Sequence, residues 1–170
     1  MYTPLRILAP ILVLLIFNNC YSCRGIILPT GVGTVAIPNF EDNVTTAHPP
    51  TLALEATEAL KLKMQNQARL EVVQSDADIE FKGTLVDFRV SSEAPRPGEF
   101  TRLNRLTIVT AVEYINHLDP ENEEVWASNF SFFFDFPGDT PLSTVQDDAI
   151  VEILDQITEQ IINKAFTEDW

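Results

Sequence analysis

From Trp126 to Phe136 the chain alternates: Trp126, Ser128, Phe130, Phe132, Phe134 and Phe136 share one parity. A period of two sets one side of a strand against a core, and so many aromatic rings on one side predict a strongly buried face. The stretch before it, Leu103 to Asn116, alternates as well. Leu106, Ile108, Val112 and Tyr114 fall on one side, and Val109, Ala111 and Ile115 on the other. The polar run from His117 to Glu124 between the two stretches reads as a hairpin turn. Leu70 to Val90 is a third extended stretch. In it Ile79, Phe81 and Leu85 have one parity and Val86, Phe88 and Val90 the other, so a bulge or bend is expected near Gly83. Residues 91–101 are rich in Pro and Gly and read as a loop. Near the start, Val35, Ile37 and Phe40 predict a short strand that Pro38 restricts to an edge or a bulge.

Two segments have helical spacing instead. Between Thr51 and Arg69, residues Leu52, Ala56, Ala59, Leu60 and Met64 recur at steps of three and four, and Pro50 suits a helix start. Val145, Ala149, Ile150, Ile153, Leu154, Ile157, Ile161, Ala165 and Phe166 make a wider stripe in the last segment. Ser143 and Gln146 have capping-box spacing, with Asp147 and Asp148 expected in the first turn, where the helix dipole favours acids. The expected order is β-α-β-β-β-α, with the first helix a right-handed crossover between parallel strands. Both helices need an apolar surface and the aromatic strand supplies one. The predicted fold is α+β: a two-layer sandwich with two helices on one face of a mixed sheet of four to five strands.

The first residues follow neither pattern. Arg6 precedes an apolar run, Ile7 to Phe17, that is too short to span a bilayer and reads as an export signal. It ends at Asn18-Asn19-Cys20. A cysteine there resembles a lipoprotein signal, in which the thiol takes a diacylglycerol and becomes the new N-terminus, although Asn19 stands where a small residue is usual. Cys20 and Cys23 are the only cysteines and are spaced Cys-x-x-Cys. A redox pair belongs at a helix start after a strand, and a zinc site needs further ligands, so lipid attachment at Cys20 is the favoured reading. A disulfide and a plain signal peptide are its rivals. The expected division is residues 1–19 as signal, 20–33 as tether and 34–170 as one domain.

Charge excludes one class of function. With 11 basic against 25 acidic residues the net charge is −14, and the basic footprint that nucleic acid requires is missing. At 45% hydrophobic the chain has the composition of a globular domain. Catalytic signatures are absent: no Gly-x-Ser-x-Gly, no phosphate-binding loop, and no ligand spacing around His48 or His117. The acidic clusters Asp76–Asp78 and Asp119–Glu124 read as solvated turns. No enzyme activity, metal or cofactor is expected.

Several short pieces carry a resemblance: the cysteine and glycine between Cys20 and Gly25, Val35–Asp42, Thr57–Lys61, Leu103–Ile108 and Asn163–Trp170. In this order, behind a lipoprotein signal, they resemble the lipopolysaccharide-assembly lipoprotein family LptE in its Bacteroidota form. The resemblance implies two helices on a small sheet and a non-enzymatic role. Family members are anchored in the inner leaflet of the outer membrane, plug the LptD β-barrel, assist its assembly and take part in lipopolysaccharide delivery. Tyr21 and Ser22 come after Cys20 without an acidic export run, which favours the periplasmic side. Lipopolysaccharide is anionic, so Arg89, Arg102 and Arg105 are the candidate contacts, with guanidinium pairing phosphate. The sheet's second face, with Val109, Ala111 and Ile115, suits a protein partner. The alternative function is a periplasmic lipoprotein that scaffolds another envelope complex without a lipid ligand.

Overall fold

The computed structural model describes residue 26 and residues 28–93, 102–118 and 125–167. The strands are β1 (Thr34–Ala36), β2 (Glu41–Asp42), β3 (Glu71–Val73), β4 (Ile79–Glu93), β5 (Leu103–Asn116) and β6 (Val125–Pro137). The helices are α1 (Leu52–Lys63), between β2 and β3, and α2 (Leu142–Phe166), after β6. The six strands form one sheet in the order β3-β1-β4-β5-β6, with β2 also pairing β4. β1 lies parallel between β3 and β4, so the chain leaves β1 and returns through α1 to a parallel neighbour. β4, β5 and β6 run antiparallel over their whole lengths. The α+β sandwich expected from the periodicity is the fold observed, with six strands among the described residues where four to five were expected.

The core lies between the helices and one face of this sheet. Cross-strand register aligns Phe81 with Tyr114 and Tyr114 with Trp126, and it aligns Phe88 with Ile108 and Ile108 with Phe132. The helical stripes meet these rows: Leu52, Ala56 and Leu60 from α1 with Met64 just after it, and Ala149, Ile153, Ile157 and Ile161 from α2, are all buried. Every one of these helical residues recurs at three- or four-residue spacing, which is why a single face of each helix can be removed from water.

Several local details depart from the sequence reading. Leu70–Val90 is not one strand. A turn at Gln74–Asp78, with Asp76 left-handed at φ 54°, divides it into β3 and β4. The bulge in β4 falls between Leu85 and Asp87, not at Gly83. The extra residue is Val86, which is exposed. Its insertion returns Phe88 to the buried face that Leu85 occupies. Gly83 answers a different need: a Cβ there would stand 2.2 Å from the Phe40 ring, so the ring packs directly on bare backbone. Phe40 sits in the interruption between β1 and β2 that Pro38 opens. Its N–H donates to the buried Thr57 Oγ1 of α1 at 2.9 Å, and that hydroxyl donates to the Ala53 carbonyl at 2.7 Å.

The predicted helix from Thr51 to Arg69 is α1 followed by a π-helical turn, Met64–Ala68, that closes at Arg69 with φ 56°. At the start of α2 the capping box does not form. The helix begins at Leu142 behind Pro141, no side chain caps it, and Asp147 and Asp148 fall beyond the first turn. Pro141, fixed near φ −63° with an extended ψ, serves as the boundary instead.

Candidate functional site

The helices cover one face of the sheet, and the opposite face of β4, β5 and β6 carries no second layer among the described residues. Its side chains are those of opposite parity to the core rows. Thr107, Val109, Ala111, Glu113 and Ile115 come from β5, between Asp87 and Arg89 of β4 and Ser131, Phe133 and Asp135 of β6. Small residues at Ala111 and Ala127, with Lys82, Thr84, Glu113 and Asn129 around them, leave a shallow depression of about 590 Å³ on this face. Phe133 is 42% exposed there, although it belongs to the most aromatic strand.

Two of the three arginines singled out in the sequence lie on this bare face. Arg89 stands opposite Thr107, and Arg105 opposite Ser91, so the two are diagonal neighbours on β4 and β5. Arg102 is exposed just before β5, where its carbonyl accepts the Gly138 N–H at 2.8 Å. All three therefore sit toward the same end of the sheet.

The sequence reading missed their partners. Arg105 lies directly across from Asp135 and binds it as a fork, Nε to Oδ1 at 2.7 Å and Nη2 to Oδ2 at 2.8 Å. Its guanidinium carbon stands 3.7 Å above the centre of the Phe133 ring, and Glu93 lies 3.9 Å from Nη1. A bidentate carboxylate and an aromatic face fix the guanidinium plane together. The hydrogen bond to Asp135 pushes the Arg105 pKa further above its usual range. Arg89 pairs with Asp87 of its own strand. Two cations therefore face Asp87, Glu93 and Asp135, and the strip holds no excess of positive charge. Asp87 and Arg89 are two residues apart in one strand, so alternation alone puts them on one face; Arg105 and Asp135 become neighbours only through the register of the hairpin.

In the acidic turn Asp76–Asp78, one carboxylate is tied into the fold. Asp78 Oδ2 accepts from the Gly33 N–H at 2.8 Å, the Thr34 N–H at 2.8 Å and the Thr34 hydroxyl at 2.9 Å. These hydrogen bonds, the backbone ones first, lower its pKa. Its carboxylate therefore secures the entry to β1. The cluster Asp119–Glu124 lies outside the described residues, as do Cys20 and Cys23. Among the described residues no group of three His, Cys, Asp or Glu side chains is arranged to hold a metal ion. No helix among them is long and apolar enough to cross a membrane. His48 has no ligand spacing around it in the sequence, yet both its ring nitrogens meet acceptors. Nδ1 is 2.7 Å from the Thr46 carbonyl and Nε2 is 2.8 Å from Asp42 Oδ2.

Among known protein families, a model described as "LptE: Lipopolysaccharide-assembly" matches residues 32–165, more than half of the chain. No curated protein matches. Among solved structures, the hypothetical protein CT253 from Chlamydia trachomatis superposes with a TM-score of 0.52 at 8% identity, covering 79% of this chain and 98% of that one. Protein XCC0632 from Xanthomonas campestris also superposes with a TM-score of 0.52, at 11% identity, covering 85% of this chain and 91% of that one. At such identities the likeness is one of fold.

Proposed function

The chain belongs to the LptE lipopolysaccharide-assembly family, and from that premise we propose that it is an outer-membrane lipoprotein that plugs the LptD β-barrel and assists its assembly. The observation that carries this reading is the family match, which spans every strand and nearly all of α2. In this proposal residues 1–19 are a signal, Cys20 takes the lipid, residues 20–33 are the tether and the fold from residue 34 onward faces the periplasm. Each buried acyl methylene contributes about 0.8 kcal/mol, so several chains hold the protein without help from charge. That matters for a domain this acidic, which an anionic surface repels.

The bare face of β4–β6 is the surface we assign to the barrel. It is half apolar and rich in small side chains, and its cations Lys82, Arg89 and Arg105 are paired within the face. The role is non-enzymatic. Arg89, Arg102 and Arg105 are the proposed contacts for lipopolysaccharide phosphate. Two of them are already bound to carboxylates, so such contact requires a phosphate to displace Asp87 or Asp135.

Affinity purification from solubilised outer membranes, with mass spectrometry of the captured proteins, tests the proposal. A large β-barrel should co-purify with the chain. Recovery of other envelope components without a barrel would favour the scaffold role instead. Metabolic labelling with a palmitate analogue should mark the native chain and not Cys20→Ala. Charge reversal of the three arginines should weaken lipopolysaccharide capture; unchanged capture would remove them from the proposal.

A further inference from the structure

On the side of the molecule away from the bare sheet, α1 and α2 leave an open groove of about 510 Å³ between them. Leu62 of α1 is 56% exposed and Val151 of α2 is 69% exposed, and both line it. Ala59 and Leu154 supply the rest of its apolar floor. Large apolar side chains on the outer surface of so acidic a domain are not explained by the core, which the opposite stripes of these helices complete.

The rim carries negative charge. Glu55, Glu58 and Asp155 line the groove with Lys63, and Glu58 also pairs with Lys61 at 2.9 Å on the exposed side of α1. Lys63 is already committed to Asp155 at 2.6 Å and to Glu159 at 3.0 Å, tying α1 to α2. Asp148, exposed and three residues before Val151, extends the acidic rim along the same side of α2.

We propose that this groove is a docking site for an amphipathic helix with a basic face, carried by a partner protein. Apolar anchors would enter between Leu62 and Val151, while Lys or Arg beside them meet Glu55, Glu58 and Asp148. Two packed helices present ridges between which a third can lie, and α1 offers about 18 Å, or three turns, of contact. A second copy of this chain is a poor occupant, since its own helices bring carboxylates to the same rim. The inference does not rest on the barrel reading, because the surface assigned to the barrel is on the other side of the fold.

The test uses the full chain in a neutral detergent and a labelled peptide of about 18 residues, leucines on one helical face and lysines on the other. Binding is read by fluorescence anisotropy, and its location by a photo-crosslinker on the peptide. Leu62→Ser combined with Val151→Ser leaves the net charge unchanged and removes only exposed side chains. This pair should weaken binding by about tenfold with the circular dichroism melt preserved. Crosslinks should fall on Ala59, Leu62 and Val151, and the matching leucine–glutamate peptide should not bind. Native affinity in the serine pair, equal binding of the acidic peptide, or crosslinks on the sheet face would overturn the proposal. So would a concentration-dependent dimer of the native chain that the serine pair abolishes.

Discussion

His48 shows how much a single side chain can depend on its protonation. A neutral imidazole has one donor, yet here both nitrogens face acceptors, the Thr46 carbonyl and the Asp42 carboxylate. The charged ring satisfies both. The hydrogen bond to Thr46 and then that to Asp42 raise its pKa above 6.5, while the His48 hydrogen bond lowers that of Asp42 below 3.8. A raised histidine contributes fully below its unfolded value and loses that contribution as pH climbs through the folded one. A lowered aspartate contributes above its unfolded value and fails only as pH falls through the folded one. The clasp therefore operates between the two. The difference in Tm between the native chain and His48→Gln should be largest at about pH 5.5 and should shrink by about pH 9. A difference that stays constant with pH would refute the charged clasp. Gly83 makes a steric prediction of the same scale. Gly83→Ala places a methyl inside the Phe40 ring and should cost about 1–3 kcal/mol in urea unfolding. Phe40→Ala in the same background should recover part of the clash while adding its own cavity cost, so the two changes should be clearly non-additive.

At the scale of the element, what the sequence disclosed and what it hid have separate physical causes. Periodicity found α1, α2, β5 and β6 and their buried faces, because burial of one face repeats with the geometry of the element itself. It placed Ile153, Ile157 and Ile161 of α2 in the core correctly. The change of phase in β4 was legible too, since Phe88 and Leu85 differ in parity, but not its position: the extra residue is Val86, three residues beyond Gly83, where alternation alone gives no mark. The reading failed at the start of α2, where Ser143 and Gln146 have the spacing of a cap but the chain is already helical from Leu142. Of the candidate arginines, Arg89 has its carboxylate partner two residues away in its own strand, but that of Arg105 lies 30 residues away across the hairpin, and only register reveals it. The α2 stripe makes its own prediction. Ile157→Ala should destabilise by about 2–5 kcal/mol, since the side chain is fully enclosed. Val151→Ala, six residues earlier and on the exposed side of the same helix, should change stability by less than about 0.5 kcal/mol. Comparable losses at both positions in chemical denaturation would mean that the helix is not packed as described.

At the scale of the molecule, a two-layer sandwich has two outer surfaces, and here both keep apolar side chains in water. The helix side holds the acid-rimmed groove and the sheet side holds the flat face of β4–β6. Because the core lies between them, each surface can be altered without touching the packing that supports the other. Ala127 and Asn129 are exposed on the sheet side, opposite Glu113 and Ala111 of β5. Replacing both with arginine fills the depression with long charged side chains while leaving every buried row intact. The double variant Ala127→Arg with Asn129→Arg should melt within a few degrees of the native chain, because surface changes of this kind shift stability by about 0.5 kcal/mol or less each. If this face meets the barrel, the same variant should recover several-fold less of it from outer membranes, although its lipid anchor is untouched. The serine pair at Leu62 and Val151 should recover the barrel as well as the native chain does. A reversed pattern, with the helix-side variant losing the barrel and the sheet-side variant keeping it, would exchange the roles assigned to the two surfaces.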